Sequence, residues 1–118
     1  MEIDLSAIKE LTENGRERLP NRRSHELVDF QHGGFSYTAG IGRFADGRVA
    51  EIFLNAAKTG TAVEAAARDA AIVASIALQH GASPATLQHA LTRNGDGTAS
   101  GPLGALLDLL AARECAAP

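Results

Sequence analysis

The stretch VAEIFLNAAKTGTAVEAAARDAAIVASIALQHG, residues 49–81, decides the fold. Its first six residues are rich in β-branched and aromatic side chains and read as a strand. Lys58-Thr59-Gly60-Thr61 then breaks the run, and from Thr61 to His80 there is neither Pro nor Gly. Alanine is so frequent there that helix propensity is close to its maximum, which predicts one long helix. Val63, Ala66, Ala67, Ala70, Val73, Ala74, Ala77 and Leu78 form a broad apolar stripe along it, with Glu64 and Arg68 at i,i+4 spacing on a more exposed side. Such small side chains let a sheet or another helix approach closely, so this is expected to be the central helix.

Upstream, Phe35, Tyr37, Ala39 and Ile41 alternate at period two and predict a strand. Asp46-Gly47 lies between that segment and Val49, and both residues tolerate positive φ, so an antiparallel hairpin is expected. Residues 25–31, with Val28 and Phe30 bracketing Asp29, offer a third strand before His32-Gly33-Gly34. Ile3, Ile8 and Leu11 are spaced for a short N-terminal helix stopped by Asn14-Gly15, and residues 16–24 read as a connector or extended arm.

Downstream, Gly81 supplies a C-cap, and Ser83-Pro84 an N-cap and first-turn proline for a helix to about Thr92. Asn94-Gly95-Asp96-Gly97 reads as a flexible loop. Helix returns over residues 102–113, with Leu103, Leu106, Leu107 and Leu110 at core spacing and a fraying end. The expected class is α+β: a hairpin or three-stranded antiparallel sheet packed by the long helix and two further C-terminal helices. Residues 1–24 are then an N-terminal helix and arm, and residues 25–113 the domain proper. No internal repeat appears.

Composition narrows the chemistry. The 118 residues suffice for one core, 45% hydrophobic with only 4% aromatic, so Ala, Leu, Ile and Val must fill it. The one cysteine, Cys115, excludes an intramolecular disulfide and any multi-cysteine metal site. Nothing in the chain approaches the apolar length of a membrane span, and the first residues lack a signal-peptide pattern, so a cytoplasmic setting is expected. A net charge of −3 argues against a dedicated nucleic-acid binder. Arg16, Arg18, Arg22 and Arg23 nevertheless cluster within eight residues holding one acid, Glu17, as a solvated face or a set of local ion pairs, or as an anion or partner contact.

The residues 52–61, Ile-Phe-Leu-Asn-Ala-Ala-Lys-Thr-Gly-Thr, and the helix ending Ser75-Ile76-Ala77-Leu78-Gln79-His80-Gly81 resemble the TSCPD domain. That family is a small C-terminal module of many adenosylcobalamin-dependent ribonucleotide reductases, found also as free-standing short proteins. In it a strand ends in a Lys-Ser-Gly-Ser-like turn and feeds a long helix. The resemblance covers roughly residues 35–110. The Thr-Ser-Cys-Pro-Asp motif that opens the family's last helix corresponds here to Ala99-Ser100-Gly101-Pro102-Leu103. Ser and Pro are kept; Cys has become Gly101 and Asp has become Leu103. Reductases of this kind use a thiyl-radical cysteine and a reducing cysteine pair, roles one cysteine cannot fill. The resemblance therefore implies an accessory or regulatory relative, with a ribonucleotide reductase as partner, rather than a catalyst.

The 58–61 turn is the strongest candidate site. A strand leading through Gly60 to a helix start presents unpaired N–H groups and the positive end of the helix dipole, a place for a nucleotide or phosphate. Lys58 would add a point charge and Thr59 and Thr61 hydrogen bonds, without the spacing of a nucleotide-hydrolysing P-loop. The plainer reading stays open: a threonine caps the helix and Gly60 accommodates the turn. Asn55 could orient a ligand or satisfy loop backbone. Arg22, Arg23 and Arg43 could reach the same anion if the arm folds across the hairpin. His25, His32, His80 and His89 show no metal-ligand spacing, and no cofactor is expected. The alternative function is a homo-oligomeric interaction domain, a homodimer for instance, built on the hairpin edge and the Ala-rich helix.

Overall fold

The period-two pattern and the turn residues settle into a three-stranded antiparallel sheet in the order β1 (His25–His32), β2 (Phe35–Arg43), β3 (Val49–Ala56). The computed structural model describes residues 15–21, 25–58 and 60–116. The N-terminal helix expected before Gly15 lies outside the described residues, as do Arg22, Arg23 and Thr59. Gly33 and Gly34, both at positive φ, close the β1–β2 hairpin so that His32 pairs with Phe35. The Asp46-Gly47 turn joins β2 to β3, with Gly47 at φ +95° donating its N–H to the Phe44 carbonyl.

Three helices follow: α1 (Ala62–Gln79), α2 (Pro84–Ala90) and α3 (Pro102–Ala116). Helices α1 and α3 pack one face of the sheet, and α2 packs against α3. Ile41, Ile52 and Leu54 from the strands and Leu106 and Leu107 from α3 are the largest fully buried side chains, and Ala67, Ala71, Ala74 and Leu78 bring α1 onto them. The alternation along β3 puts Leu54 and Ala56 inward and Phe53 and Asn55 on the open face.

The buried face of α1 differs from the expected stripe. Val73 is 66% exposed, whereas Ser75 and Gln79 are buried. Both polar side chains serve the free edge of β3. The Ser75 hydroxyl accepts from the Ile52 N–H at 2.8 Å and lies 3.0 Å from the Ile52 carbonyl, and the Gln79 amide donates to the Ala50 carbonyl at 3.0 Å. An edge strand otherwise offers its unpaired groups to another chain, so this clasp closes β3 against strand addition at these positions. The described part of the arm ends the same corner: Glu17 N–H donates to the Gln79 carbonyl, Arg16 to the Gln79 side chain, and Arg48 pairs with Glu17.

Three boundaries also move. His80 holds the C-cap of α1, with Gly81 following it at φ +104°. Helix α2 stops at Ala90, because the Leu91 cap is already extended, and α3 continues past Arg113 to Ala116, carrying the exposed Cys115. The segment expected as a flexible loop is a hydrogen-bonded turn. Asp96 Oδ1 accepts from the Thr98 N–H and hydroxyl, Gly97 takes φ +88°, Asn94 N–H donates to the Thr98 carbonyl, and Arg93 bridges Ala99. Asp-Gly supplies that local order as it does in the β2–β3 hairpin.

A charged clamp fixes this turn to α3. Arg93 donates to both Asp108 oxygens, at 2.6 and 2.7 Å, and Gln88 from α2 donates to one of them at 2.8 Å. The Arg93 guanidinium, with the Gln88 amide, holds the Asp108 carboxyl at about 2. A carboxyl depressed on folding stabilises above its unfolded value and loses that contribution as pH falls through its folded value. Asp108→Asn should therefore lower the melting temperature at pH 7, and the gap from wild type should close between about pH 4 and pH 2 in a pH series of thermal melts.

Candidate functional site

At the 58–61 turn, β3 has ended at Ala56 and Gly60 turns the chain at φ +74°. Thr61 is the N-cap of α1: its hydroxyl accepts from the Glu64 N–H at 3.1 Å and donates to the Lys58 carbonyl at 3.2 Å. Lys58 and Gly60 are exposed. Glu64 supplies a carboxylate in the first helical turn, 3.6 Å from Arg68, and that charge already complements the helix dipole. The turn thus carries both features read from sequence, a capped helix start and a basic side chain beside it.

The other candidates lie elsewhere. Asn55 is exposed on the open face of the sheet, opposite Thr38, while α1 packs the inner face. Arg43 binds the Gly47 carbonyl at 2.9 Å at the far end of β2. Ala56 pairs with Tyr37, six residues from Arg43, so about 20 Å of strand separates Arg43 from the Lys58 end. The described arm residues Arg16 and Glu17 sit at the Arg43 end as well, through Gln79 and Arg48.

Beside the 58–61 turn, sequence reading missed a groove of about 470 Å³. The β1–β2 turn forms one side with His32, Phe35 and Tyr37; the first half of α1 contributes Val63, Ala66 and Ala70; the start of α3 contributes Gly101. The His32 ring bonds the Ser100 carbonyl at 3.1 Å and ties the β1–β2 turn to the opening of α3. Tyr37 is buried, stacked on Phe30 with ring centroids 5.4 Å apart. The signal available was the chain's single tyrosine on an inward strand face, where a phenol needs either a partner or a route to solvent.

The remaining polar clusters are structural in geometry. His25 pairs with Glu51 at 2.9 Å on the open sheet face, where Gly42 leaves room for the Glu51 side chain; a Cβ at Gly42 would fall 2.6 Å from it. Among the described residues no three His, Cys, Asp or Glu side chains converge to hold a metal, and no helix is long and apolar enough to cross a membrane.

The fold and this groove define a small α+β module with a concave site at one end of its sheet. Over 66 residues the chain is 41% identical to a vitamin B12-dependent ribonucleotide reductase from Agrobacterium fabrum (strain C58 / ATCC 33970). The match takes in 56% of this chain and 5% of that protein, so the chain corresponds to a small part of its relative. The module is thus related to a segment of a ribonucleotide reductase. No family model matches the chain. No solved structure matches it significantly.

Proposed function

We propose that this chain is an accessory module of the TSCPD type that works beside a ribonucleotide reductase in the cytoplasm, binding a nucleotide or phosphate ligand or the reductase itself without catalysing reduction alone. The observation that carries the reading is the 41% identity over 66 residues to an enzyme named for its action on ribonucleotides, limited to 5% of that enzyme's length. What supports a phosphate contact is the start of α1, where Lys58, Gly60 and the Thr61 cap stand together at the positive end of an 18-residue helix. Thr59 belongs to the same proposed contact by its place in the turn. Glu64 opposes it, and an anion bound there would be held against that charge by Lys58.

Thermal denaturation with ribonucleotides and deoxyribonucleotides tests the ligand. A ligand at 100 times its dissociation constant stabilises by roughly 2.7 kcal/mol, so wild type should melt several degrees higher, and Lys58→Ala should lose most of that rise. No rise with any nucleotide would remove the ligand reading.

A second reading, a homo-oligomeric interaction domain, is favoured by the exposed Ile72, Val73 and Ile76 on α1 and by Leu27 and Phe53 on the open face of the sheet. Light scattering separates the two: a monomer at every working concentration contradicts it.

A further inference from the structure

We infer that the groove between the β1–β2 turn, α1 and the opening of α3 is a nucleoside site, in which a flat heteroaromatic base lies against Phe35 and meets the Tyr37 hydroxyl. This rests on the nucleotide reading above and says where the part of the ligand beyond its phosphate goes.

Tyr37 carries the inference. Its side chain is 4% exposed and lines the groove. Among the described residues its hydroxyl has no hydrogen-bond partner, while its ring stacks on Phe30 and packs in the core. No fully buried polar side-chain atom among the described residues is left without a partner, so the hydroxyl reaches solvent. Tyr37 lines the groove and also a smaller hollow with Asp29, Phe30 and Thr38, and of the two the groove is the one walled by the helices on the inner face, where the Tyr37 ring lies. A nearly buried phenol with its polar end unfilled is a ready hydrogen-bonding group for whatever enters.

The surroundings specify the shape of the guest. Phe35, 40% exposed, presents an aromatic face beside Tyr37, and Ala66 and Ala70 keep the α1 wall low. Gly101 is required neither by its backbone, which is not at positive φ, nor by packing, since a Cβ there would meet nothing within 4 Å. Gly104, by contrast, has Ala99 3.1 Å from where its Cβ would stand. A larger side chain at Gly101 is therefore free to fill the groove. An acyl chain in this space would cover the Tyr37 hydroxyl without pairing it, whereas a base offers donors and acceptors at its edge and π faces for Phe35. Val63, which lines the groove, is the second residue of α1 after the Thr61 cap, so a 5′-phosphate on the same ligand has the helix start within reach.

The test is a titration of ¹⁵N-labelled protein with adenosine, guanosine, cytidine and uridine and with their 5′-monophosphates, using wild type, Tyr37→Phe, Gly101→Leu and Lys58→Ala. At least one nucleoside should shift Tyr37, Ala66, Ala70 and Gly101 saturably. Its affinity should fall about five- to tenfold in Tyr37→Phe. It should vanish in Gly101→Leu, whose spectrum should stay dispersed and whose melting temperature should match wild type. Lys58→Ala should weaken the monophosphates and leave the nucleosides unchanged. Shifts confined to residues 58–62, with Tyr37→Phe and Gly101→Leu binding as wild type, overturn the groove and leave the phosphate reading standing. Nucleosides in the groove with monophosphates indifferent to Lys58→Ala uphold the groove and overturn the phosphate contact. No shift with any of the eight overturns both.

Discussion

Leu106→Ala should melt roughly 10 °C or more below wild type. Leu106 is 0% exposed and sits where α3 meets the sheet, among Ile41, Ile52 and Leu54. Removing a buried leucine side chain to Cβ costs about 2–5 kcal/mol, the transfer loss plus the cavity that neighbours fail to close. Each kcal/mol shifts the midpoint by roughly 3–6 °C in a chain of this size. The core has few aromatic rings to lean inward, so collapse around the gap is limited and the upper half of the range is expected. A midpoint within about 3 °C of wild type would mean that α3 contributes little to the core.

Ser75→Ala should destabilise by about 1–2 kcal/mol although alanine is the better helix former. Helix propensity favours the substitution by about 0.5 kcal/mol. Against it stands the Ile52 N–H, bonded to the Ser75 hydroxyl at 2.8 Å in a buried setting, and orphaning such a donor costs about 1–3 kcal/mol. The lost hydrogen bond outweighs the gain in propensity. Chemical denaturation measures the sum, and faster exchange of the Ile52 amide identifies the cause. Unchanged or increased stability would show that the β3 edge does not depend on the α1 clasp.

The same residue explains where sequence reading of α1 stopped short. Alanine is so common in that helix that small apolar residues fall on every side and the periodicity leaves the inner face undecided. The tie is broken by Ser75 and Gln79, polar residues a hydropathy pattern sends outward but which are buried because the β3 edge needs their hydrogen bonds. The strands were easier. Period-two alternation in β2 and the Asp46-Gly47 turn are local, and the antiparallel pairing follows from them, whereas the register shift between Gly42 and Arg43 does not. Asp96-Gly97 carried the same turn chemistry, but the short flanks hid it.

Of the candidate site, the local part was legible and the assembled part was not. The cap, the glycine and the lysine of the 58–61 turn are consecutive, so their meeting is certain from sequence. The groove joins residues near 35, 65 and 101, brought together only when α3 folds back under the β1–β2 turn and His32 bonds Ser100. Arg43 failed to join for a converse reason: it is close in the hairpin but at the other end of a nine-residue strand.

Whether the chain is a nucleotide-binding accessory module is tested most directly by equilibrium dialysis of the wild-type protein against labelled ribonucleoside and deoxyribonucleoside mono-, di- and triphosphates. Saturable retention of one nucleotide per chain is expected, with no conversion of ribonucleotide to deoxyribonucleotide. Retention of none at millimolar concentration, or turnover by the chain alone, would contradict that role.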